Sequence, residues 1–311
     1  FPRKTPVSVI VSAKNEEKNL GPCLRHLEWA DEIFVVDSQS TDDTARIAEE
    51  MGAQVVQFYF SGSYPKKKNW ALENLPFRNE WVLIVDADEW IPSDLSREIA
   101  RVLEEEKGFD GYYMNRRFFF MGRWIRHCGY YPSYNLRLFK HRLGRYEKMI
   151  AEGAGDNEVH EHILLQGTAG YLHNDMGHYA YPDIATFVEK HNRYSNWEAN
   201  LQARFRSGAP DGSDRLLGHS LYGKRILKRL YLRLPFRFPF RFLYAYFWKR
   251  GFLDGWAGLI FCTLLSFYDF LTWAKTFERK NAQPLSNRLT DSQSPQQKIP
   301  FKRTGQDTNT P

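Results

Sequence analysis

Four short apolar runs, separated by helical patterns and mostly ending in polar clusters, dictate what the first hundred residues can fold into. Residues 7–12 (VSVIVS) have the composition of a buried strand, as do 33–36 (IFVV), 54–58 and 81–85 (WVLIV). Residues 16–29 place Leu20, Leu24 and Leu27 on one helical face. Thr41 is positioned to N-cap a helix over 42–51, with Gly52 just past its end. Residues 66–74 and a stretch from Pro92 to about Glu106 read as further helices. Strands joined by crossover helices make a doubly wound, mostly parallel α/β sheet. Such sheets bind ligands beyond the carboxyl ends of their strands, and the polar residues of this half cluster there.

Composition narrows the remainder. With 311 residues, 42% of them apolar, the chain sustains a packed core. Cys23, Cys128 and Cys262 are odd in number and scattered, so neither a disulfide framework nor a cysteine zinc site is expected, and a reduced compartment is. Net charge is 43 − 37 = +6, yet residues 215–250 hold ten Lys or Arg and no acid. That local excess argues against a nucleic-acid binder and for one localised anionic partner. The run 7–12 is too short for a signal-peptide core and is followed by Lys14.

Three clusters carry chemistry. Asp86, Asp88 and Glu89 follow the fourth run directly (DADE), where paired carboxylates can share a hard divalent cation. Mg²⁺ takes one or two protein carboxylates and completes its shell with phosphate oxygens and water, so a metal-bridged diphosphate is the natural ligand. A solvated acidic turn before the Pro92 helix is the plainer alternative. Asp37 ends the second run in DSQSTD, where a carboxylate can accept from a base N–H or a ribose hydroxyl while Ser40, Thr41 and Asp42 cap the next helix. Ser12, Asn15 and Glu16 close the first run.

These stretches in this order (VSVIVSAKNEEKNLGPCL, WADEIFVVDSQSTDDTARIAEEMGA, KKKNWAL and EWVLIVDADEWI) resemble glycosyltransferase family 2 on a GT-A fold, most strongly the branch similar to lipopolysaccharide-core glucosyltransferases. The resemblance spans about residues 5–275. The chain has Lys67-Lys68-Asn69 where that branch often has Gln-Arg-Asn. The resemblance implies that Asp37 contacts the nucleotide base, with Glu16 nearby. It implies that Lys68 lies near the donor, and that Asp86 and Asp88 hold the sugar-nucleotide and a Mg²⁺ or Mn²⁺. Ser12, Asn15 and Ser40 complete the expected donor site.

A fourth cluster, EVHEH at 158–162, reads as a strand. Inverting transfer needs a base opposite the leaving diphosphate, and the branch has a recurrent VHE here. Glu161 is therefore the expected base, with Asp156 and Glu158 in reserve. An exposed polar strand is the alternative. His173 and His178 are candidates for a metal ligand or a diphosphate donor, and His178 joins the expected metal set. Arg116, Arg117, Arg123, Arg126 and Arg137 offer cations, most of them expected on a solvated face.

Towards the end, Arg recurs at 229, 233, 237 and 241 among Leu, Phe and Tyr, and Pro235 and Pro239 interrupt any long helix. The apolar run 255–268 is too short to span a bilayer, which needs about 20 residues. A basic-aromatic appendage lying on an anionic membrane surface is expected, against the alternative of a hairpin packed on the catalytic domain. The organisation expected is a catalytic domain over 1–206, a membrane-associating helical segment over 207–281 and a disordered tail over 282–311. The expected activity is inverting transfer of a hexosyl unit from a nucleotide-sugar, UDP-linked, to a lipopolysaccharide-core or surface-polysaccharide acceptor. Its place is the cytoplasmic face of the inner membrane. Transfer to polyprenyl phosphate, which needs no carboxylate base, and a non-catalytic nucleotide-sugar-binding protein are the alternatives. A nucleotidyltransferase is disfavoured, since no glycine-rich phosphate loop follows the first strand.

Overall fold

A computed structural model describes residues 4–62, 64–105, 108–147, 162–206 and 237–281. Its frame is a sheet of nine strands: β1 (Thr5–Ala13), β2 (Ala30–Asp37), β3 (Gln54–Gln57), β4 (Trp81–Asp86), β5 (Glu89–Trp90), β6 (Gly111–Phe120), β7 (Arg123–Trp124), β8 (Tyr134–Lys140) and β11 (Ala169–Tyr181). The order is β3-β2-β1-β4-β8-β6-β11-β5, with β7 paired to β6. Strands β3, β2, β1 and β4 are parallel. Strand β8 runs against both β4 and β6, and β11 lies parallel to β6. The long strands other than β8 therefore share one direction, as the apolar runs predict. Strands β9 (Gly144–Tyr146) and β10 (Ile163–Leu165) form a separate hairpin pair.

Period-two alternation builds a core on each face. Val7, Val9, Val11 and Ala13 of β1, with Leu83 and Val85 of β4, enter one core beneath α1 (Leu20–Arg25) and α4 (Ser93–Glu104). Ile10, Val82 and Ile84 face the other way, towards α3 (Lys67–Asn74). Each fully buried aliphatic side chain contributes about 1.5–3 kcal/mol. That accounts for the uninterrupted apolar runs of a sheet covered on both faces.

Two local expectations are corrected. The helix expected over 16–29 is reduced to α1, because Asn15 takes a left-handed conformation (φ 55°) and residues 14–19 form turns. The second helix, α2 (Thr44–Glu50), begins later than Thr41. The Thr41 N–H donates to Asn15 Oδ1 at 2.9 Å, Asp43 occupies the N-cap position without a side-chain capping bond, and the Asp42 carboxylate accepts from the Thr44 N–H at 3.1 Å just ahead of the helix.

Helix α5 (Ile184–Arg206) follows β11 directly. The C-terminal part comprises α6 (Arg237–Leu243), a π-turn (Tyr244–Trp248), a 3-10 turn (Gly251–Asp254) and α7 (Gly255–Asn281). Helix α7 is 27 residues long, well beyond the apolar run read from the sequence. It seats Phe261 against Phe118 and Phe120 of β6, with ring centroids 5.1 and 5.2 Å apart. Helix α7 is thus packed on the nine-stranded sheet. Residues 207–236, the tail 282–311, and Asp156, Glu158, His160 and Glu161 lie outside the described residues.

Candidate active site

Strand β1 lies between β2 and β4, so the chain's crossovers diverge around it and the carboxyl ends of the three strands form a crevice. In register, Ala13 faces Asp37 on one side and Ser12 faces Asp86 on the other. The Ser12 hydroxyl oxygen is buried and has no hydrogen-bond partner among the described residues. An orphaned hydroxyl at a strand switch point is a ready donor or acceptor for a ligand.

On the β2 side, Asp37 organises the loop. Its carboxylate accepts from the Ser40 N–H, from the Ser40 hydroxyl, and from Gln57 Nε2 at 2.8 Å. The Asn15 N–H donates to Ser40 Oγ at 2.8 Å, which ties the first two loops together. Asn15 and Ser40 thus shape the crevice wall. Glu16 is half-buried, its N–H donating to Thr44 Oγ1 and its carboxylate accepting from Asn19. Burial, reinforced by the charges of Asp88 and Asp86, holds its carboxyl above the usual range despite the Asn19 bond.

On the β4 side, Asp86 is gripped by two cations: Lys68 Nζ at 2.8 Å from one oxygen and Arg137 Nη2 at 2.9 Å from the other. Burial works to raise its pKa, but Lys68 and Arg137 outweigh burial and keep it well below the usual carboxylate range. The same Arg137 nitrogen reaches Glu89 Oε1 at 2.8 Å, and Arg116 approaches Glu89 at 3.4 Å. Glu89 Oε2 accepts the Asp86 N–H at 2.9 Å, so a fully buried carboxylate sets the strand-end turn. Asn69, at the Lys67-Lys68-Asn69 stretch, donates to the Tyr146 carbonyl and accepts its N–H, fixing α3 to β9 behind Lys68.

Asp88 points elsewhere. Strand β11 returns against β5, bringing His178 Nε2 to 3.5 Å from Asp88 Oδ1, while Lys190 Nζ of α5 lies 3.9 Å from Oδ2. Burial raises the Asp88 pKa and His178 lowers it, with a net fall. Among the described residues no group of three His, Cys, Asp or Glu is arranged to hold a metal. Asp88 and His178 supply two donors side by side, which suits a cation that draws its remaining ligands from phosphate oxygens and water. The two oxygens of Asp86 are each in an ion pair, one with Lys68 and one with Arg137.

The other expected cations divide. Arg116 and Arg137 reach the site. Arg117 pairs with Asp175 at 2.9 Å and Arg126 stacks on Trp124. His173 lies five residues before His178 on β11, about 16 Å along the strand, and its N–H donates to Glu98 of α4. Sequence reasoning placed Glu89 in the acidic cluster but gave it no role of its own, and it had no signal for Lys190, which arrives from a helix a hundred residues downstream.

Residues 8–154 match the family described as Glycosyl transferase family 2. The lipopolysaccharide core biosynthesis glycosyltransferase LpsC of Rhizobium meliloti (strain 1021) is 29% identical over 209 residues, covering 64% of this chain and 72% of that protein. An uncharacterized glycosyltransferase of Rickettsia felis is 26% identical over 276 residues, 88% of this chain and 89% of its own length. The mannosyltransferase PcManGT from Pyrobaculum calidifontis, solved with GDP-Man and Mn²⁺, has a TM-score of 0.48 at 15% identity, over 90% of this chain and 89% of that one. Glucosyl-3-phosphoglycerate synthase from Mycobacterium tuberculosis, solved with Mn²⁺, UDP and its product, has a TM-score of 0.41 at 19% identity, over 67% of this chain and 82% of its own.

Proposed function

From a chain whose residues 8–154 are a glycosyltransferase family 2 domain, and which is a glycosyltransferase, we propose inverting transfer of a hexosyl unit from a UDP-sugar to a lipopolysaccharide-core or surface-polysaccharide acceptor. It would work at the cytoplasmic face of the inner membrane. One observation carries the donor half of this reading: Asp86, held ionised by Lys68 and Arg137, stands beside the Asp88–His178 pair at the strand switch point. The acceptor class is supported by the similarity to LpsC, a lipopolysaccharide core biosynthesis glycosyltransferase.

In this reading the crevice between β1, β2 and β4 takes the nucleotide. Asp37 and its loop face the base, and Ser12 and Asp86 meet ribose or sugar hydroxyls. An ionised carboxylate accepts hydroxyl protons about twice as strongly as a neutral acceptor, which is what the Lys68 and Arg137 clamp preserves. Asp88 and His178 would hold Mg²⁺ or Mn²⁺, whose chemistry is neutralisation of charge on the departing diphosphate. Lys190 adds a protein cation on the same side. Proton removal from the acceptor hydroxyl falls to Glu161 on the sequence argument, worth about 10²–10⁴-fold for a positioned base. A screen of UDP- and GDP-sugars for hydrolysis and transfer, with and without Mg²⁺ or Mn²⁺, tests the reading. Turnover of UDP-hexoses that needs the metal supports it, and indifference to both nucleotide and metal rejects it.

A further inference from the structure

The chain between α6 and α7 makes a knuckle whose outer side is apolar. Trp248 and Trp256 are 78% and 79% exposed, and Phe240, Phe247, Phe252 and Leu253 are also exposed around them. Tryptophan is highly buried on average in folded proteins, so two on one corner mark a contact surface. Lys249 and Arg250 are exposed at the apex. The sole acid of residues 237–256 is Asp254, and it points inward, 3% exposed, accepting from the His127 N–H at 2.9 Å and facing His127 Nδ1 at 2.8 Å.

The knuckle is held in shape. The Cys128 N–H donates to the Lys249 carbonyl at 3.2 Å, and Ala245 is buried. A Cβ on Gly251 would run into the Ala245 carbonyl and the sulfurs of Cys128 and Cys262. Its exposed rings are therefore presented by a braced turn.

We infer that this knuckle, with Trp248 and Trp256 at its crest, inserts into the headgroup boundary of an anionic lipid bilayer. Charge complementarity selects that occupant: amphipathic rings sit at the interface while cations without opposing acids meet lipid phosphates. In sequence, the stretch 215–250, with ten Lys or Arg and no acid, ends at Arg250. By length and composition, Gly251–Arg279 could cross a membrane. Yet α7 lays Phe261, Cys262 and Leu265 on the sheet and carries polar ties to α5: Tyr268 to Glu198, Lys275 to Asn192 and Ser195, and Arg279 to Asn200. Lipid offers those groups no replacement partners. Contact through the knuckle leaves every one intact.

The test uses the full chain with phosphatidylcholine vesicles, with and without phosphatidylglycerol. Expected is co-flotation with the anionic vesicles only, weakening as salt rises, and quenching of tryptophan emission by brominated lipid. The double variant Trp248→Ser, Trp256→Ser should lose about tenfold or more in partitioning while keeping vesicle-free nucleotide-sugar hydrolysis. Lys249→Glu with Arg250→Glu should weaken binding and flatten its salt dependence. Undiminished flotation of the tryptophan double variant overturns the inference, as does absence of wild-type flotation at low salt. A dimer that the double variant dissociates, without lipid binding, would give the face to a second copy and overturn it too. Hydrolysis is read without lipid, so failure here is separable from failure of the catalytic reading.

Discussion

A single Arg137 nitrogen bridges Glu89 and Asp86, at 2.8 and 2.9 Å, inside a turn where Glu89 is wholly buried. Removing one member of a buried ion pair leaves an uncompensated charge, a loss of about 3–5 kcal/mol. Arg137→Met should therefore lower the urea midpoint by that equivalent. Arg137→Met with Glu89→Gln should recover part of it, because the stranded charge is gone. An Arg137→Met protein as stable as wild type would show that Arg116 alone satisfies Glu89.

Asp88→Asn should abolish transfer and weaken metal-dependent UDP binding, with the fold unchanged by circular dichroism. His178→Ala should act in the same direction but less, because a carboxylate carries the charge that attracts the cation and the imidazole does not. Calorimetry of UDP binding with and without Mn²⁺ separates the two. Full activity in excess EDTA would remove the metal from the mechanism.

Glu161→Gln keeps size and removes basicity. If Glu161 only takes the acceptor proton, transfer should fall by about 10²-fold or more with nucleotide affinity nearly unchanged. Glu158→Gln should do much less. Near-normal turnover of the Glu161 variant on its acceptor would pass the role to Asp156 or Glu158, or point to a phosphate acceptor.

His191 on α5 is stacked on Phe187 and buried, and burial pushes its imidazole down to about 4 from 6.5. The unfolded chain therefore binds a proton that the folded chain refuses between those values. Stability from this residue is complete above about pH 6.5 and declines as pH falls towards 4, by about 3 kcal/mol in all. His191→Phe should flatten that part of the stability–pH curve, measured by denaturant titration at pH 7 and pH 4.5. An unchanged acid slope would place the sensitivity elsewhere.

The parallel half of the sheet and the ends of β1, β2 and β4 are legible in the sequence because runs such as 81–85 must be covered on both faces. Asp37, Asp86 and Asp88 follow them by chain order alone. Arg137 was one of five arginines with equal local claims. What singles it out is the register of β8 against β4, a non-local pairing that no window of sequence contains. Lys190 depends likewise on how α5 folds back beside β11. The reach of α7 was underestimated because the apolar run stops at Tyr268, before Asp269, whereas the helix continues to Asn281. The hydroxyls of Thr263, Thr272 and Thr276 donate to the carbonyls of Leu259, Tyr268 and Thr272, one turn back, so these polar side chains are satisfied within the helix without water.

Phe118 stands between α7 and the site. It is the register partner of His178 across β6 and β11, and it also packs against Phe261 of α7. A truncated version that ends at residue 206, made to simplify purification, would strip the wall behind the imidazole opposite Asp88. A well-behaved form is better obtained by recolouring the outer rim of the corner with serine or glutamate and leaving the helix in place.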